Sequence, residues 1–139
     1  MELLLGIKKA KWAESANITT KDTNILNLLP DPICNLNISE LKLSVWDVGI
    51  NRARFNEIIK EIVKDRSIPN YDYSIFSDKL LNNLGISFDQ TFSMQLKKIG
   101  NYHYDIHIPS SEILLELTKS LILYAERDRM TKREIDRLP

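Results

Sequence analysis

Cysteine, histidine and glycine are scarce in this chain, and each scarcity excludes a kind of chemistry. Of 139 residues, one is cysteine, two are histidine and four are glycine. Cys34 alone forms no internal disulfide and supplies no thiolate cluster for zinc. In its apolar, strand-like setting it reads as a buried thiol rather than a nucleophile. There is no Gly-rich phosphate loop, no paired Cys-x-x-Cys and no nucleophile elbow, so nucleotide-binding, zinc-finger and hydrolase readings lose their usual support. An excess of charge of one sign is also missing: nineteen basic residues balance nineteen acidic ones. No global field therefore draws in nucleic acid or an anionic membrane, and neither is expected as a partner. No run approaches the roughly 20 apolar residues of a membrane span. The N-terminus carries Glu2 before its short apolar run and lysines after it, the reverse of a secretory signal. These absences suggest a cytoplasmic protein, and the abundance of Asn, Ile and Lys suggests a bacterial, AT-rich source.

What is present has the proportions of one globular domain spanning residues 1–139, with 43% hydrophobic and 27% charged residues. Glu2 to Ile7 fits a short strand. Lys8, Lys9 and Lys11 around Trp12 read as a solvated face. Residues 13–30 are polar and end at Pro30-Asp-Pro32, a rigid break. Then come two runs, 33–38 and 41–48, joined by a polar turn as in a hairpin. In the second, Leu41, Leu43 and Val45 face one way and Lys42, Ser44 and Trp46 the other.

Asn51 is placed to cap a helix over 51–65, where Phe55, Ile58, Ile59, Ile62 and Val63 follow helical spacing. Glu57 and Glu61 lie one turn apart but alternate with Lys60 and Lys64, the pattern of a salt-bridged solvent face. Tyr71 to Phe76 reads as a tyrosine-rich loop, followed by a short helical pattern through Phe76, Leu80, Leu81 and Leu84 that Gly85 closes. Residues 91–98 read as a strand hairpinned with 102–108, with a helix as the alternative because Phe88, Phe92 and Leu96 repeat every four residues. After Pro109, Ser110 or Ser111 caps a helix over 111–127, whose apolar arc from Ile113 to Ala125 is wide enough to need cover on more than one side. Thr131 and Glu134 match a capping box.

One stretch lines up groups that do chemistry. In Asn101-Tyr-His-Tyr-Asp-Ile-His-Ile-Pro109, strand alternation puts His103, Asp105 and His107 on one face and Tyr102, Tyr104, Ile106 and Ile108 on the other. Two imidazoles and a carboxylate suit a divalent transition metal, or acid–base chemistry with Asp105 orienting a histidine. Asp72, Asp89 and Glu112 are the carboxylates available to complete such a shell. Against this, the chain has no third histidine, and neighbours one strand step apart share a metal only across a bend or bulge. A polar strand face is the simpler reading.

The fold expected is therefore α+β: a small, mostly antiparallel sheet from strands near 33–38, 41–48, 91–98 and 102–108, with or without the N-terminal strand, and two main amphipathic helices packed on one face. The function expected is a non-catalytic protein-binding module, of the bacterial immunity, antitoxin-like or accessory kind, with no cofactor. Trp46, Tyr71 and Tyr73 are its candidate contact residues, and the apolar arc of 113–125 is a candidate homodimer surface. The alternative is a metal-dependent hydrolase or nuclease using His103, Asp105 and His107.

Overall fold

Glu2-Leu-Leu-Leu-Gly6 does not alternate, and its place in the fold explains why. In the computed structural model, which describes residues 1–7 and 42–139, it is a central strand, β1 (Glu2–Gly6), buried from both sides. Leu3 and Leu5 face one apolar layer and Leu4 faces another. The elements that follow are β2 (Lys42–Asp47), a 3-10 turn (Ile50–Arg52), α1 (Phe55–Arg66), β3 (Asn70–Ser77), α2 (Asp78–Asn83) and β4 (Ser87–Gln90). A second 3-10 turn (Lys97–Tyr102) leads to β5 (His103–His107), α3 (Ser111–Tyr124), β6 (Glu126–Thr131) and α4 (Lys132–Asp136). The strands form one antiparallel sheet in the order β4-β5-β2-β1-β3-β6.

The class is the expected one, α+β with a small antiparallel sheet and two main amphipathic helices. The helices, however, lie on opposite faces of the sheet rather than on one. Leu114, Leu117 and Leu121 of α3 bury against Leu3, Leu5, Leu43, Val45 and Ile106. Ile58, Ile59 and Ile62 of α1 bury against Leu4, Trp46, Tyr73 and Ile75 on the other side. Each helix has one apolar stripe and each sheet face is apolar, so two separate layers are needed to keep both dry.

Several boundaries follow from local chemistry. Ser110 caps α3 by accepting from Ile113 N–H at 3.2 Å, and Ser77 caps α2 through Lys79 N–H at 3.2 Å. Gly85, at φ +68°, follows α2 in the left-handed region that glycine adopts without strain. The Thr131–Glu134 capping box opens α4 as the sequence suggested. Asn51 does not cap α1. It and Arg52 take left-handed backbone conformations, φ 54° and 56°, in the 3-10 turn, and α1 starts later, at Phe55.

The strand expected over 91–98 is instead β4 at 87–90, which pairs with β5 through Phe88 opposite Ile106. Beyond it the chain leaves the sheet and returns over Gly100, where a Cβ would come within 2.6 Å of the Phe92 ring and 2.8 Å of the Ser93 carbonyl. Tyr71–Phe76 is an inner strand rather than a loop, every side chain of it buried. The C-terminal helix stops at Tyr124, and the charged stretch after it becomes β6. The strand expected at 33–38 and the thiol of Cys34 lie outside the described residues.

Candidate functional site

Register fixes where the polar groups of β5 point. His103 is opposite Trp46, Asp105 opposite Ser44, and His107 opposite Lys42, so all three lie on the face that carries α1. Their side chains do not converge. His103 is buried beside Trp46, ring centroids 4.8 Å apart. Its Nδ1 lies 2.9 Å from the Thr91 carbonyl oxygen and 2.9 Å from Thr91 Oγ1. A carbonyl only accepts, so Nδ1 carries the proton and donates. The Thr91 hydroxyl gives its own proton to Asp105 Oδ2 at 3.0 Å. His103 Nε2 lies 3.7 Å from Asp105 Oδ1. His107 makes a separate pair, Nε2 donating to Asp89 Oδ1 at 2.7 Å.

Asp89 and Asp105 are direct cross-strand neighbours, a placement that costs stability when both are bare carboxylates. Here Asp89 accepts from His107 and Asp105 accepts from the Thr91 hydroxyl, so neither carboxylate is left bare. Of the carboxylates considered to complete a metal shell, only Asp89 reaches this face. Asp72 points to the opposite face, where Arg129 donates to it at 2.6 and 3.0 Å, and Glu112 belongs to α3 on that same side. Among the described residues no three His, Cys, Asp or Glu side chains are gathered as a metal would require.

The aromatic contact candidates are not at the surface. Trp46, Tyr71 and Tyr73 are only 6%, 3% and 7% exposed and belong to the layer under α1. Burial pushes the Tyr73 hydroxyl up to about 12, with the carboxylates of Asp128 and Glu126 adding to the effect. Burial raises Tyr71 as well, partly opposed by Arg66. Sequence alternation put Trp46 opposite the main apolar row, which is correct, but that opposite face has a core of its own.

Large apolar side chains are exposed elsewhere, singly at Ile50 and near the β4–β5 connection at Phe92 and Met94, and around a groove at the junction of β3, α2 and α3. Phe76, Leu80, Leu84 and Tyr124, with Ser77, Asn83 and Ser120, line a groove of about 400 Å³. Beside it Leu123 is 63% exposed and Tyr124 is 79% exposed. Helical spacing from Leu117 and Leu121 places Tyr124 inside the apolar arc, and only its position as the last residue of α3 brings it into solvent. A larger hollow of about 680 Å³, between the end of α1 and α4, has Val63, Ile68, Pro69 and Ile135 in its wall and Lys60, Lys64, Lys132, Glu61 and Asp136 around them. Among the described residues no helix is long and apolar enough to cross a membrane.

Comparison of the chain with protein-family models, with curated proteins and with solved structures returned no match.

Proposed function

We propose that this chain is a non-catalytic protein-docking module, an accessory, immunity or antitoxin-like protein of the bacterial cytoplasm, that meets its partner at the α2–α3 groove. The observation that carries this reading is the pairing of an apolar groove with an aromatic and a leucine left in solvent at its rim. Clustered exposed apolar side chains are uncommon on a protein that works alone, and tyrosine is enriched among residues that dominate binding energy. Trp46, Tyr71 and Tyr73 serve this function indirectly, by fixing the sheet on which the groove is built. The same surface, at the end of the 113–125 arc, would serve a second copy of the chain.

The test is a photo-crosslinking residue placed at Tyr124 and, as a control, at exposed Lys97 on the far side of the sheet, expressed in the native host. A discrete protein adduct at 124, missing at 97 and lost when Leu84 is changed to Lys, supports the reading. The adduct's mass separates a second copy from a different protein. Absence of an adduct at 124, or identical adducts at both positions, overturns it.

A further inference from the structure

Among the described residues β6 is the outermost strand on its side of the sheet, and an outer strand presents backbone donors and acceptors to any further strand that approaches. In an antiparallel pair a residue turns its N–H and C=O together, either toward its neighbour or away. Asp72 in β3 turns toward β1, where its carbonyl accepts the Ile7 N–H at 2.9 Å. Arg129, its partner across the β3–β6 ladder, therefore turns its own N–H and C=O outward. The same alternation turns Thr131, opposite Asn70, outward too.

Both of these outward amides are already engaged by carboxylates of the chain itself. Arg129 N–H donates to Asp128 Oδ1 at 2.7 Å, and Thr131 N–H donates to Glu134 Oε1 at 3.3 Å. The strand is also held back onto the sheet, by Arg129 on Asp72 and by Arg52 bridging Glu2 and Glu126. Among the described residues no strand pairs with the outer side of β6.

We propose that Asp128 and Glu134 guard this edge, filling the Arg129 and Thr131 amides that a further strand would use and so preventing extension of the sheet by a second copy. The charge order acts in the same direction. Two copies joined edge to edge by a two-fold axis through the sheet bring together residues of the same face. Centred on Asp128, that pairing opposes Asp128 to Asp128 and Arg127 to Arg129; centred on Arg129, it opposes Arg129 to itself. Like charges directly across a ladder are destabilising. The guard is independent of the α2–α3 groove, so either can fail without the other.

The experiment compares the parent chain with the pair Asp128→Ala/Glu134→Ala and with the control pair Asp128→Asn/Glu134→Gln. The control makes the same change in charge but keeps a carbonyl acceptor at both positions. Sedimentation velocity should show the alanine pair associating beyond the state of the parent at concentrations where the control does not. Amide exchange at Arg129 and Thr131 should accelerate roughly tenfold in the alanine pair. An alanine pair that sediments like the parent, or a control that associates equally, overturns the proposal. If the alanine pair loses its circular dichroism, the parent alone decides: exchange at Arg129 and Thr131 slower than at free amides supports the guard, and exchange at the free-amide rate overturns it.

Discussion

Tyr71 and Tyr73 lie nearly parallel at 6.1 Å, with Phe55 edge-on to Tyr73 at 5.3 Å, in surroundings that favour a protonated hydroxyl. Both hold their protons more tightly in the folded chain than in the unfolded one, where the ordinary value is 10. The stability this adds is complete below pH 10 and fades as pH rises through the folded value, about 12 for Tyr73 and higher for Tyr71. The urea midpoint of the parent should fall between pH 10 and 12. In Tyr71→Phe and Tyr73→Phe it should fall less, each measured against its own value at pH 8. Equal alkaline losses in parent and variants would show that the tyrosines are not the cause. The types of these residues were legible in the sequence, and their burial was not. Asp72 and Ser74 between them look like loop chemistry, yet Asp72 is neutralised by Arg129, which lies 57 positions along the chain.

At the scale of the element, α3 separates two residues that helical spacing groups together. Leu121 is fully buried against the sheet, while Tyr124 stands in solvent. Leu121→Ala should cost about 2–5 kcal/mol of unfolding free energy. Tyr124→Ser should leave stability within about 0.5 kcal/mol while removing the docking contact. Chemical denaturation of the two variants checks the first pair of values, and the crosslinking experiment checks the last. Helices were the readable elements here because their signals are local: a 3.6-residue apolar period and a capping serine or threonine, as at Ser110 and Thr131. β4 and β6 gave no such signal. Four residues are too few to show a period, and Glu-Arg-Asp-Arg-Met-Thr carries almost no apolar side chain.

For the molecule as a whole, the sheet separates two apolar layers that share no side chain. Leu4 belongs to the layer under α1, whereas Leu5 and Leu121 belong to the layer under α3. The losses from Leu4→Ala and Leu121→Ala should add to within about 0.5 kcal/mol in the double variant. Leu5→Ala and Leu121→Ala, in one layer, should depart from additivity by roughly 0.5–3 kcal/mol. A double-mutant cycle by urea denaturation reads both. Coupling of equal size across the sheet would mean that the two layers respond as one core.

The sequence by itself determined the α+β class, the two main helices, the alternation of β2 and β5, the caps at Ser110 and Thr131, and the shared face of His103, Asp105 and His107. All of these depend on neighbours a few residues apart. Only the tertiary structure decided which face each helix covers, that Trp46, Tyr71 and Tyr73 are enclosed, that the histidines meet different aspartates, and that Leu123 and Tyr124 are left exposed. Those outcomes depend on strand order and register, which bring together residues distant in the chain. A strand buried on both faces loses the alternation that would announce it, so β3, an inner strand of the fold, read as a tyrosine-rich loop.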